Sequence, residues 1–230
     1  MNKPVKITIE VVLLAVIVFL VYAIYSSIME PVNFNKQKEY RESVAVQRLK
    51  DIRTLQVAYK SVNGKFTSTV DSLKLFYETG TMPVVLQIGS NDDSLAVEHT
   101  AAVKKAHRKI TNEELYKMYL AGDKHLVFSI ENDVAVKDTL FNGREDFNID
   151  SLKTIPFSGG QPVLMETVVK MVSGVPVPLF EAKMPYRQLL KGLDNQLRIN
   201  LDADRESQNK YVGLQVGSIT APNNNAGNWE

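Results

Sequence analysis

The chain has no cysteine, which excludes disulfides, thiolate metal sites and a cysteine nucleophile. It also lacks an excess of charge of either sign: 27 Lys and Arg stand against 26 Asp and Glu, a formal net charge of +1. A phosphate-backbone binder shows clustered surplus Lys and Arg, so nucleic acid is not expected as a partner. Histidine is scarce, with three residues in 230. His99 and His107 are eight apart rather than the four that sets two ligands on one helix face, so no metal is assigned to them. Gly159-Gly160 has no Lys-Ser or Lys-Thr after it, and neither Ser158 nor Ser173 has a G-x-S-x-G surround; the phosphate-cradle and nucleophile-elbow patterns are both absent. No internal repeat and no long low-complexity segment is seen. The chain offers no constellation for catalysis and none for a cofactor, and it is not read as an enzyme.

What it does have is one long apolar run. "KITIEVVLLAVIVFLVYAI" and its continuation to Met29 hold about twenty nearly continuous Leu, Ile, Val, Phe and Ala residues, enough for a helix rising about 1.5 Å per residue to cross a hydrocarbon layer of about 30 Å. Residues 1–29 are therefore read as a single transmembrane anchor. A cleaved signal peptide is the competing reading, since Lys3 and Lys6 form a basic start and Val21-Tyr22-Ala23 offers small residues for a peptidase. The run continues through Ile24, Tyr25 and Ile28, longer than the 7–15 residues of a signal core, and Tyr22 and Tyr25 suit an interfacial belt. The expected placement is the inner (cytoplasmic) membrane, with a short cytoplasmic N-terminus and an exported, periplasmic C-terminal part. Charge counts do not by themselves decide this, because Lys36, Lys38, Arg41 and Arg48 follow the span closely.

Glu10 interrupts the run. Lys6 lies four residues before it on one helix face, and a helix N-terminus favours negative charge, so a local pairing near the headgroups is one reading. An intramembrane carboxylate seeking a cation on a neighbouring helix, and so setting the register of an assembly, is another. Ion translocation is a weaker third, because no second polar residue lies deep in the span.

Residues 30–80 read as an amphipathic stalk helix and a short second helix. In "ESVAVQRLKDIRTLQVAYKSVNGKF", Ala45, Leu49, Ile52, Leu55, Tyr59 and Val62 recur at steps of three and four, and Gly64 is placed to end the helix in a left-handed conformation. Leu49, Ile52, Leu55 and Tyr59 form its packing face, either core or a partner-binding stripe. Pro31 and Asn33 are expected to kink or break the helix after the membrane. Ser68 or Thr69 caps "VDSLKLFYETG", which Gly80 ends.

This order of a short tail, "ITIEVVLLAVIVFLVYAI", "RLKDIRTLQVAYKSVNGKF" and "VDSLKLF" resembles the N-terminal half of type IV pilins and type II secretion pseudopilins, over about the first 80 residues. The resemblance implies that Glu10 corresponds to the family's carboxylate at the fifth mature position. It further implies that Ile7 through Tyr25 is a filament-core helix and that the helix packs on a small antiparallel sheet. One departure stands: the family is trimmed after a glycine, and the matching place here holds Val5 and Lys6.

Residues 81–230 read as an enlarged β-rich head, so that the whole is α+β. "TMPVVLQIG" is a strand, "DSLAVEHTAAVKKAHRK" is helical or irregular, and Thr111 with Glu114 forms a capping box for "NEELYKMYLAG". "HLVFSIENDVAVKDTLF" is expected to turn back at Asn132-Asp133, with Asn142-Gly143 the next reversal. "PVLMETVVKMV" and "VPVPLFEA" flank Ser173-Gly174. Pro176 and Pro178, two apart, remove donors on one side, which marks an edge strand. Pro185 opens "YRQLLKGL", closed by Gly192. "NQLRINLD" and "KYVGLQVGSI" are expected as a last hairpin around an acidic loop, and "APNNNAGNWE" as a polar tail. Asp202, Asp204 and Glu206 in that loop alternate as at the start of a calcium loop, without its sixth-position Gly and distal Glu; a solvated loop is the other reading. The expected role is a structural component of a cell-envelope assembly, partnering the membrane and either further copies or other envelope proteins. A membrane-tethered ligand- or partner-binding domain is the alternative.

Overall fold

The computed structural model describes the backbone of residues 3–230, and side chains for residue 8 and for 10–230. The proposed Lys6 partner of Glu10 therefore lies outside the described side chains. The chain is α+β, as expected, with a long N-terminal apolar helix and antiparallel sheets. Helix α1 runs without a break from Lys3 to Asn63, with Pro31 inside it. Of the kink or break expected at Pro31 and Asn33, the break does not occur. One proline removes one rung of a ladder that has many on either side, so a long helix tolerates it where a short one would not. Gly64, at φ +72°, ends α1 and donates its N–H to the Lys60 carbonyl at 2.8 Å.

The contacts divide the chain into two bodies. The first comprises residues 1–54, 66–70 and 148–230. Its sheet has the order β3 (Leu164–Val172), β4 (Val175–Pro185), β5 (Gly213–Gly217), all antiparallel. Ser173 and Gly174 both have positive φ, +50° and +82°, the geometry of a two-residue turn whose twist matches the strands it joins. Leu179, Phe180, Ala182, Met184, Leu214 and Val216 are buried, as are Leu49 and Ile52 of α1, and Phe66 sets its ring 4.7 Å from that of Phe180. A side chain at Gly217, φ +73°, would strike the Phe180 carbonyl.

Two corrections fall in this body. The expected last hairpin does not form, because "NQLRINLDADRES" is helix α7, Asn195–Ser207. The Asp194 carboxylate accepts from the Leu197 N–H at 2.7 Å and caps it, and Arg198 pairs with Asp202 one turn on. The apolar alternation of Leu197, Ile199 and Leu201 yields to these local bonds because nothing in α7 is fully buried. The C-terminal stretch is no free tail either. Gly227 bridges Val216, and Asn228 donates its N–H to the Gln215 carbonyl at 2.9 Å, which covers the outer edge of β5. Before α7, Pro185 serves as N-cap of the one-turn helix α6, Tyr186–Leu189.

The second body comprises residues 55–65 and 71–147. It holds α2 (Val70–Thr79, less its first residue), β1 (Thr81–Ile88), α3 (Ser94–Ala106), α4 (Asn112–Leu120), β2 (Phe128–Ala135) and the single turn α5 (Val136–Thr139). The expected reversal at Asn132-Asp133 is corrected: both residues lie within β2, opposite Val84 and Pro83 of β1. Eight consecutive cross-strand pairs outweigh the turn preference of two residues whose side chains face solvent. Ile88, Leu115, Leu126, Phe128 and Ile130 form one core, and Ala58, Phe76 and Val136, with Tyr59 packed on them, form a second. The capping box is present, Thr111 Oγ1 accepting from Glu114 N at 3.2 Å and Glu114 Oε2 accepting from Thr111 N at 2.9 Å. The β-rich expectation for 81–230 is only half met, since α3, α4 and α7 put about as many residues into helix as the strands hold.

Candidate functional site

From Glu10 to Tyr22 every residue of α1 is exposed, so the helix has no buried face there. The described helix contains an 18-residue window with mean hydropathy 2.7, none of it buried. The core helix of a soluble fold would bury such a window, and Phe19 at 67% exposure or Leu14 at 66% has no cover in this chain. Among the described residues this is one helix long and apolar enough to cross a membrane.

The same helix is then fastened to the first body at successive levels. Arg41 donates to the carbonyls of Leu189 and Lys191 at 3.1 and 2.8 Å, and its guanidinium lies 4.9 Å over the Phe157 ring. The next residue, Glu42, accepts a 2.5 Å bond from the Tyr186 hydroxyl and faces Lys38 at 3.7 Å. Burial, followed by the bond to Glu42, holds the Tyr186 phenol well above the usual tyrosine range. Arg48 donates to the carbonyls of Ser151 and Thr154, both at 2.8 Å, and burial pushes its guanidinium below its ordinary value. Arg53 meets Glu230 at 2.7 Å, a bond that holds this exposed carboxylate below the usual range. Three arginines on one stretch of α1 thus bind main-chain carbonyls and the side-chain carboxylate of Glu230. Charge-assisted bonds of this kind are stronger than neutral ones.

Two adjoining clefts open in the first body, the second of them along α1 where it leaves the apolar window. The first, of about 940 Å³, is lined by Arg187, Lys191 and Arg198 together with Ser158, Gln161, Gln188 and Asn195, with no carboxylate in its wall. Arg198 is paired with Asp202, whose carboxyl is held up by desolvation. Lys191 reaches only the Ser158 carbonyl, at 3.4 Å, and Arg187 has no hydrogen-bond or ion-pair partner among the described residues. The buried Gln188 Oε1 has no hydrogen-bond partner either. The second cleft, of about 540 Å³, runs along α1 from Tyr22 to Gln37 and is closed by Gly192, Leu193 and Asp194. Gly192 and Leu193 line both clefts.

The residues singled out in the sequence fall at separate places. Leu49 and Ile52 are fully buried in the first body, whereas Leu55, also fully buried, and the partly buried Tyr59 belong to the second. Pro176 and Pro178 lie in the part of β4 that pairs with Met171 and Val169 of β3, beyond the reach of β5, which begins its pairing at Glu181. Glu10 is exposed. Asp202, Asp204 and Glu206 stand on α7, not in a loop, which removes the loop on which the calcium reading depended. His99 pairs with Asp123 at 2.8 Å, and that bond holds the Asp123 carboxyl below its usual range. The Ser158 hydroxyl is fully buried, donating to Ile155 O at 2.7 Å and accepting from Gln161 N at 2.9 Å, which ties it into a turn. The cationic cleft was not anticipated. Its signal is present in "YRQLLKGLDNQLR", where Arg187, Lys191 and Arg198 share thirteen residues with one acid.

Comparison with known protein families, curated proteins and solved structures finds no match to this chain.

Proposed function

We propose that this chain is a single-pass membrane protein that acts as a structural component of a cell-envelope assembly, in the manner of pilins and pseudopilins. In this reading it sits in the inner membrane with its folded part exported, and its partners are further copies or other envelope proteins. The observation that carries the proposal is the continuity of α1. One helix of 61 residues is exposed and apolar at its N-terminal end and is fastened to a folded body by Arg41, Arg48 and Arg53 farther along. A mere tether needs only a flexible linker, whereas a building block must hold its membrane helix and its body in a fixed relation. Glu10, exposed near the start of the apolar window, is assigned the role of setting register between neighbouring helices, because a carboxylate in hydrocarbon seeks a cation or a hydrogen-bond donor. The open edges, β3 and the proline-bearing part of β4, are assigned to partner contacts outside the membrane.

The chain's lack of cysteine makes the test simple. Single cysteines at Val11, Val12, Leu13 and Leu14, all exposed, are oxidised in intact membranes. Disulfide-linked dimers at some of these positions, lost with Glu10→Gln, are the expected result. Monomer at all four positions rejects the assembly reading in favour of a membrane-tethered binding domain. That second reading has its own support in the 940 Å³ cleft with its three cations.

A further inference from the structure

We infer that the paired clefts at the foot of the first body form a binding site for an anionic phospholipid of the bilayer in which α1 is anchored. The inference rests on the membrane-spanning reading of α1 and adds a ligand to it. Position is the first argument. From Glu10, about twenty residues at 1.5 Å each bring the helix across about 30 Å of hydrocarbon to Met29. The smaller cleft is lined by α1 from Tyr22 to Gln37, so it straddles the boundary between acyl chains and headgroups. Its wall changes character in the same direction, from Tyr22 and Tyr25 through Met29 to Asn33 and Gln37, with the aromatic rings where an interfacial belt places them.

Charge is the second argument. The larger cleft adjoins the smaller through Gly192 and Leu193 and presents Arg187 and Lys191, both exposed, and Arg198. Arg198 is satisfied by Asp202, but Arg187 and Lys191 carry charge that no carboxylate of the described chain neutralises. Two carboxylates border the smaller cleft, Glu30 and Asp194, and the latter is engaged as the cap of α7. A lipid phosphate seated between Arg187 and Lys191, with its glycerol beside Leu193 and its acyl chains along Tyr22 and Tyr25, satisfies both the charge and the apolar wall. Cations next to a bilayer favour anionic over zwitterionic lipid, by an attraction that fades within a Debye length.

The test uses the full chain in detergent micelles, titrated with phosphatidylglycerol or phosphatidylcholine and read as lipid-bound mass by native mass spectrometry. The expected result is at least fivefold tighter binding of phosphatidylglycerol, with that preference abolished in R187Q/K191Q. Both side chains are exposed and neither makes a strong internal bond, so the variant keeps its fold, checked by an unchanged melting temperature. Equal binding of the two lipids, or a preference that survives R187Q/K191Q, overturns the inference. Displacement of phosphatidylglycerol by millimolar inorganic phosphate also overturns it, by showing a site for a free anion. A separate carbonate wash of membranes keeps the two readings distinguishable: a chain released by the wash is not membrane-spanning, and both fall together, whereas a retained chain without lipid preference sinks only this one.

Discussion

At the scale of single residues, the first body depends on polar groups placed where burial makes them matter. Glu181, almost wholly buried, accepts from Gln215 Nε2 at 2.7 Å and pairs with Lys183, whose ammonium lies 5.4 Å over the Tyr211 ring. Burial, and next the Glu181 charge, push the Tyr211 phenol up to about 12. A folded-state pKa above the unfolded value of about 10 means that the neutral phenol favours the fold. Its contribution is complete below pH 10 and is lost as pH rises from 10 through 12. The melting temperature should therefore fall steeply above pH 10, and Tyr211→Phe should flatten that limb while leaving neutral stability little changed. Tyr186, shifted the same way, keeps part of the slope in the variant. Indistinguishable alkaline limbs for the two proteins would show that the phenol is not desolvated. None of these partnerships was legible in the sequence, because Glu181 and Gln215, or Glu42 and Tyr186, meet only through tertiary folding.

At the scale of elements, legibility followed how local the determinants are. The Thr111–Glu114 box, the Gly64 stop and the Ser173-Gly174 turn were read correctly because each is decided within a few residues. Two elements were misread for opposite reasons. Asn132-Asp133 has the local signal of a turn, but its pairing with β1 is long-range and prevails. Residues 195–207 show a strand-like alternation, but their cap at Asp194 and the Arg198–Asp202 pair are local and prevail. The cationic cleft escaped notice because its three side chains come from α6, the loop after it and α7, and no single periodicity joins them. The capping box is also the sharpest check on α4. Thr111→Ala leaves the Glu114 N–H without its acceptor and should cost about 1 kcal/mol in urea unfolding. Thr111→Ser should restore most of it, since the hydroxyl is what the N–H needs. Equal stability of all three proteins would mean that α4 is held by packing alone.

At the scale of the whole molecule, the question is whether the membrane-facing part of α1 and the first body move as one piece. The sequence suggests a kink or a break at Pro31 and Asn33, and a break would leave the body hanging from its anchor. The helix instead continues through Pro31 to Asn63, with Phe34 buried three residues beyond the proline and the hydrogen-bonded fastening at Arg41 ten residues beyond it. A continuous helix resists bending over a few turns, so a displacement in the bilayer is passed to the body rather than absorbed between them. Spin labels on cysteines introduced at Phe19 and Val169, both exposed and both in the first body, report this directly by pulsed dipolar spectroscopy in nanodiscs. The intact chain should give one narrow distance distribution. Replacing Val32, Asn33 and Asn35, all exposed, together by glycine while keeping Pro31 should broaden it, because each glycine in a helix interior costs about 1 kcal/mol relative to alanine and frees the backbone beside a residue that already lacks its N–H. If the glycine variant also loses the crosslinks at positions 11–14, the body contributes to lining up the membrane helices. If it keeps them, the helices associate by themselves and the body's contacts act independently. A broad distribution in the unaltered chain would remove the rigid coupling on which the structural role is argued and would leave a domain on a leash.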